Sequence, residues 1–241
     1  EDDAVPVAGC AVAGAVAACV AAVGIVLQAG ENNRVAGFAD GVDNDTTTFW
    51  GLTGNSGTTP GTNYLGTNDN NALVLRVNGG RALRIEPSSE APNLIGGWWE
   101  NYVIAGVRGA TISGGGSGEY GENRVTDMFG AVGGGVFNQA GDGAGDTSDS
   151  ASATVGGGYQ NTAAGMDSTV SGGSLNQALG DGASIGGGIF NIANGFLATV
   201  GGGGSGMSND GNRATDSGAT VGGGSNNQAG DGADNGSDQQ Y

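Results

Sequence analysis

Residues 153–165 read Ala153-Thr154-Val155-Gly156-Gly157-Gly158-Tyr159-Gln160-Asn161-Thr162-Ala163-Ala164-Gly165, and the pattern returns as Thr169-Val170-Ser171-Gly172-Gly173 with Asn176 and Ala178. A β-branched residue followed by glycines opens such a block at Ile95, Ile112, Val132, Val155, Val170, Ile185, Val200 and Val221. Successive blocks lie 17, 20, 23, 15, 15, 15 and 21 residues apart, so the unit is 15 residues and the longer intervals carry inserted loops. Six residues beyond the anchor stands asparagine in six of the eight units: Asn101, Asn138, Asn161, Asn176, Asn191 and Asn227. The other two units have an insertion just after their glycines and then resume with near-copies, Asn123-Arg124-Val125-Thr126-Asp127 and Asn212-Arg213-Ala214-Thr215-Asp216.

Fifteen residues are too few for a strand and a helix and suit two short strands with two bends, so one unit is expected to be one coil of an all-β solenoid. The Ala-Thr-Val stretch supplies one strand and the Asn-x-Ala stretch the other, with the anchor and the alanine pointing inward. Glycine admits positive φ and close approach of neighbouring coils at the bends. Asparagine tolerates the left-handed region and bonds to backbone, which predicts a stacked asparagine ladder along the axis. Coils at the strand spacing of about 4.8 Å would make eight of them a rod of about 38 Å. Its interior is thin. One valine or isoleucine and one alanine per coil contribute about 2 to 3 kcal/mol of burial, against about 1 to 2 kcal/mol for ordering each backbone residue. Sharing apolar faces with other chains is the expected remedy.

Composition narrows the chemistry. Of 241 residues 54 are glycine, and valine, leucine, isoleucine and phenylalanine together make only 44, about 18%. That is too few for a conventional layered core. The formal net charge is −17, the seven bases are all arginine, and there is no lysine or histidine. A histidine general base, a Schiff-base lysine, a Walker lysine and most zinc sites are thereby excluded. The acidic surface would repel nucleic acid and anionic membranes. The chain therefore reads as non-enzymatic.

The block at 153–165 and its counterparts through residue 232 resemble the head repeats of trimeric autotransporter adhesins. The resemblance implies a left-handed parallel β-roll of about eight coils, three chains packed about one axis, displayed at the cell surface and used for attachment to a glycan or protein receptor. Upstream, Trp50-Gly51-Leu52-Thr53-Gly54-Asn55, Thr58-Thr59-Pro60-Gly61-Thr62-Asn63-Tyr64-Leu65-Gly66-Thr67 and the stretch from Leu73 to Pro87 resemble a collar element of bacterial surface fibres and phage-like tail-fibre proteins. The sequence shows no long heptad stalk, membrane-anchor barrel or self-cleaving chaperone domain, so the export route of those families does not carry over. Two other functions stay open: a subunit that polymerises into an extracellular filament by inserting residues 4–29 into its neighbour, and a carbohydrate-binding or carbohydrate-active solenoid.

The expected organisation is an apolar assembly segment over 1–30, a β-rich collar over 31–92, the β-roll over 93–232 and an acidic tail over 233–241. Leu73, Leu75, Val77, Leu83 and Ile85 alternate about Asn78-Gly79-Gly80, which predicts a hairpin over 72–86. Arg76, Arg81 and Arg84 are expected on its outer face, paired with nearby acids. Trp50, Trp98 and Trp99 read as core or interface anchors in preference to a carbohydrate platform. Residues 4–29 carry no charge and are long enough to span a bilayer. The acidic Glu1-Asp2-Asp3 start speaks against a signal peptide or stable membrane insertion; a segment buried by another subunit, as helix or donated strand, is preferred, and a further degenerate β-roll coil stays open. Cys10 and Cys19 lie in it. As a helix they would stand about 13.5 Å apart along the axis, too far for a disulfide without a chain reversal. A bridge between subunits and two free thiols both remain open. No cofactor is expected except calcium, for which Asp40, Asp43 and Asp45 offer hard oxygens at close spacing. The acids at Asp142, Asp146, Asp149, Asp231, Asp234 and Asp238 read as solvated loops.

Overall fold

The computed structural model describes residue 54, residues 56–206 and 210–231, and the backbone of two short upstream strands, β1 (Cys19–Val20) and β2 (Ile25–Val26). The chain divides into two compact units, Glu1–Gly66 and Thr67–Tyr241. In the first, β1 and β2 pair antiparallel with Cys19 opposite Val26. A turn there is closed by Thr59, whose carbonyl accepts Thr62 N–H at 3.1 Å and Asn63 N–H at 3.0 Å. Among the described residues no helix is long and apolar enough to cross a membrane.

The second unit is all-β in its described residues. It opens with β3 (Leu73–Val77), β4 (Gly80–Glu86) and β5 (Asn93–Gly96). From there the chain makes two-residue strands that fall alternately into two sheets. One sheet has ten strands and collects β3, β4, β5 and the anchor strands from Thr111–Ile112 to Thr220–Val221; the other has eight, from Tyr102–Val103 to Gln228–Ala229. Every pairing between successive coils is parallel, and anchor faces anchor: Val155 opposite Val170, Val170 opposite Ile185, Ile185 opposite Val200. This is a β-solenoid-like arrangement.

Register is held because a one-residue slip would turn each anchor outward. Ile112, Val155, Val170, Ile185 and Val200 are fully buried, as are Ala140, Ala163, Ala178, Ala193 and Ala214 facing them. Each valine or isoleucine so buried contributes about 1.5 to 3 kcal/mol. The longer intervals are absorbed without loss of register. Across the 23-residue interval Val132 still pairs with Val155, and across the 21-residue one Val200 with Val221.

Two corners of each coil adopt positive φ, which turns the peptide N–H toward the preceding coil. Strand N–H groups bond forward, as in Thr169 N to Ala183 O at 2.8 Å and Gln177 N to Asn191 O at 2.9 Å. Corner N–H groups bond backward, as in Leu175 N to Tyr159 O at 2.9 Å and Leu197 N to Asp181 O at 2.8 Å. The bends are thereby satisfied by backbone, as buried and half-buried peptide groups must be.

β4 pairs antiparallel with β5, so the hairpin extends the ten-stranded sheet and covers the edge of its first coil. It differs from its expected setting in one respect. Its arginine face is only partly outward: Arg76 is exposed, whereas Arg81 and Arg84 are half-buried. Arg84 sits opposite Ile95, on the face continuous with the buried anchors, while Ile85 sits opposite Leu94 on the outer face with Leu73, Leu75 and Leu83. A register shift beyond Leu75 sets Arg76 opposite Arg81, which keeps the three arginines on one face. Alternation alone does not say which set points inward; pairing with β5 decides it. The arginines are useful there. Arg81 donates to the carbonyls of Asn101 at 2.7 Å and Trp98 at 3.2 Å, and Arg84 ion-pairs with Glu86 at 2.9 Å.

Candidate functional site

The asparagines six residues past the anchors stack in one buried column. Asn101, Asn138, Asn161, Asn176 and Asn191 are buried, and Asn123 and Asn212 from the two displaced units join the same column. Asn227, in the last described coil, is exposed. Each Oδ1 accepts the backbone N–H of the next asparagine: Asn138 from Asn161 at 3.0 Å, Asn161 from Asn176 at 3.0 Å, Asn176 from Asn191 at 3.0 Å. Each Nδ2 reaches two glycine carbonyls, one in its own coil and one in the next; for Asn176 these are Gly172 at 3.0 Å and Gly188 at 2.8 Å. An amide is the one neutral side chain that accepts and donates in this geometry. The column aligns coils; its groups are fully engaged with one another and serve no external ligand.

Several exposed apolar side chains of the second unit lie on its corners. The positive-φ residues are not all glycine or asparagine. Phe137, Gln160, Leu175, Phe190 and Asn226 precede the asparagine column, and Phe129, Ser152, Asp167 and Leu197 precede the anchors, all with φ between 53° and 63°. Tyr159 bridges Val136 and Ser174, extending the first corner into a short third row. Phe137, Tyr159, Phe129, Met166, Phe196 and Leu197 are exposed, the last two by 56% and 55%. A bulky apolar residue in the left-handed region costs about 1 to 2 kcal/mol, which glycine or asparagine would avoid. Sequence reasoning did not find these rows, because phenylalanine and leucine carry no signal for positive φ.

Trp98 and Trp99 meet with ring centroids 5.5 Å apart and planes tilted by 49°, so they present no single flat face. Trp98 Nε1 donates to Glu100 at 3.3 Å, and Trp99 is exposed. A cleft of about 600 Å³ opens beside the hairpin, lined by Arg84, Glu86, Asn93 and Arg108 among others. Its arginines are each met by a carboxylate, Arg84 by Glu86 and Arg108 by Glu90, both at 2.9 Å.

Two acids of the repeat itself, Asp127 and Asp216, are buried, apart from the loop acids. Asp127 is fully buried, and burial, reinforced by the charges of Asp142 and Asp149, raises its carboxyl above the usual carboxylate range against hydrogen bonds from Thr126 and Asp142 N–H. Asp142 and Asp149 belong to the exposed insertion. The calcium candidates Asp40, Asp43 and Asp45 lie outside the described residues, as do Cys10, Trp50, Asp234 and Asp238; of Cys19 only the backbone is described. No protein-family model, curated protein or solved structure matches this chain.

Proposed function

We propose that the chain is a non-enzymatic structural subunit of an extracellular, adhesive surface fibre. In this reading the second unit is a left-handed β-roll rod of about eight coils that assembles with two further copies about a common axis and attaches to a surface glycan or protein. The observation that supports it is a set of exposed apolar residues at the corners, among them Phe129 and Leu197 at positive φ in a row they share with Ser152 and Asp167. Phe196 and Leu197 are more than half exposed, and Leu197 has a φ of 55°. Leaving such a side chain in water forgoes about 2 kcal/mol of burial in addition to the backbone strain. A second copy of the chain laid along the row recovers that burial, and the thin interior gains a shared one.

Glycine substitutions separate assembly from folding, because glycine relaxes the backbone at these corners. Sedimentation velocity on the full chain is expected to show an oligomer, and Phe196→Ser/Leu197→Gly or Phe137→Gly/Phe190→Gly to dissociate it while the strand signal in circular dichroism persists. Wild-type protein that sediments as a monomer at tens of micromolar would rule the reading out.

Self-polymerisation into a filament is favoured by a different feature. Beyond the last anchor strand, Thr220–Val221, no strand pairs onto the outward edge among the described residues, and Asn227 at that end is exposed. Such an edge templates another chain. Deleting residues 1–30 should leave a soluble oligomer if the chain forms a trimeric head, and abolish filaments if residues 4–29 join subunit to subunit.

A further inference from the structure

Four residues past the column asparagine, Gly165, Gly180 and Gly195 occupy the place in three coils, whereas Asp127 and Asp142 occupy it in one pair of consecutive coils and Asp216 and Asp231 in another; only the first pair is joined by a third acid among the described residues. The register therefore stacks one carboxylate over the next. Asp142 N–H donates to Asp127 Oδ2 at 3.0 Å, and Thr126 Oγ1 donates to the same oxygen at 3.0 Å. Gly143 N–H in turn donates to Thr126 Oγ1 at 3.1 Å. The insertion then curls back through Gly141, Gly143 and Gly145, all at positive φ. At Gly141 a Cβ would collide with the Asp127 carboxylate and Thr126 Oγ1, so only glycine fits beside them. The curl brings Asp149 in, and one carboxylate oxygen each from Asp127, Asp142 and Asp149 lie within 4.8 Å of one another. Asp146, in the same insertion, is turned to its own loop, accepting from Ser148 N at 3.0 Å and Ser148 Oγ at 2.7 Å.

The second oxygen of Asp127 is engaged differently from the first. Oδ1 is buried and has no hydrogen-bond partner, inside a residue that is fully buried. A buried carboxylate is stable when it is paired, protonated or bound to a cation, and neither of the ion pairs Arg84–Glu86 and Arg108–Glu90 involves Asp127. We propose that Asp127, Asp142 and Asp149 bind a divalent cation of the calcium class, with Asp127 Oδ1 as the anchoring ligand. Two oxygens sharing a calcium at about 2.4 Å can be at most about 4.8 Å apart, which the three carboxylates satisfy. All the donors are hard oxygens. Two of the three acids sit on an exposed loop that can adjust, which suits the flexible coordination of calcium better than the strict octahedron of magnesium. The cation would pin the longest insertion to the roll. This inference is independent of the adhesive reading.

The test uses the full 241-residue chain, freed of metal with a chelator and titrated with calcium chloride by calorimetry, in parallel with thermal unfolding. Wild type is expected to take up at least one equivalent and, at a calcium concentration about 100-fold above the dissociation constant, to melt about 5 to 10 °C higher. Magnesium chloride at equal concentration should give under half that shift. Asp127→Asn and Asp142→Asn should each lower the stoichiometry by one, whereas Asp167→Asn, on a corner outside the cluster, should not. Calcium-free Asp127→Asn should melt no lower than calcium-free wild type, because it removes the unpaired charge and keeps the shape; lost binding is then distinguished from lost folding. No calcium uptake up to millimolar concentration, or full stoichiometry retained in Asp127→Asn, would overturn the proposal.

Discussion

Gly173→Ala is expected to unfold the central coils, while Gly172→Ala, one residue earlier, leaves them intact. Gly173 has a φ of +92°, and a Cβ added to it would drive into Gly188 O of the next coil and stand 2.7 Å from Asn176 Nδ2. None of these neighbours can retreat. Gly188 O belongs to the backbone of the adjoining coil, where it accepts Ser174 N–H at 2.9 Å, and Asn176 is held in its column on both sides. Left-handed strain of about 1 to 2 kcal/mol thus adds to a backbone collision, a combination that exceeds about 4 kcal/mol. At Gly172 the nearest atom to an added Cβ is Gly157 O at 3.9 Å, an ordinary contact, and the cost should stay within about 0.5 kcal/mol. Thermal melts of the two variants side by side check the contrast. Equal melting temperatures would mean that the coils are not stacked as closely as described.

Asn176→Ala is the second large effect. Its side chain accepts Asn191 N–H at 3.0 Å and Asn191 Nδ2 at 3.1 Å, and donates to Asn161 Oδ1, Gly172 O and Gly188 O. Truncation leaves the buried Asn191 N–H without an acceptor and two carbonyls short of a donor. Each such orphan costs about 1 to 3 kcal/mol, partly offset where a carbonyl keeps another partner, so a loss of about 3 kcal/mol is expected. Asn227→Ala, at the exposed end of the same column, should cost less than about 1 kcal/mol. Asn176→Asp keeps the shape but turns both donors into acceptors facing Gly172 and Gly188, and should be at least as damaging as alanine. Denaturant midpoints of the three variants give the order directly.

The parts of this architecture that could be read from the sequence are those with one residue type in a fixed phase. Val155, Val170, Ile185 and Val200 recur at an interval too short for a strand and a helix, and that spacing implies parallel strands stacked coil on coil. The asparagine column was legible for the same reason, including Asn123 and Asn212, whose displacement equals their insertions. The faces of the hairpin were not legible. Leu83 and Ile85 alternate with arginines, but only the pairing with Asn93–Gly96 sets Arg84 opposite Ile95 and brings Arg81 to the carbonyls of Trp98 and Asn101. Nor were the corner rows, since nothing in Phe129, Phe137, Phe190 or Leu197 announces a left-handed backbone; stacking imposes it. The Asp127 cluster was half legible. Asp127 and Asp142 are 15 residues apart, one full unit, so the repeat already places them in contact, whereas Asp149 is brought in by the path of an insertion that has no phase.

The asparagine column requires coils in close stack, and the proposed fibre adds that exposed apolar corners are covered by other copies. Electron microscopy of the purified full chain tests this most directly. The expected images are of multi-chain rods or filaments, with strand periodicity near 4.8 Å along the axis. A uniform population of single chains at micromolar concentration, with no axial repeat at that spacing, would contradict it.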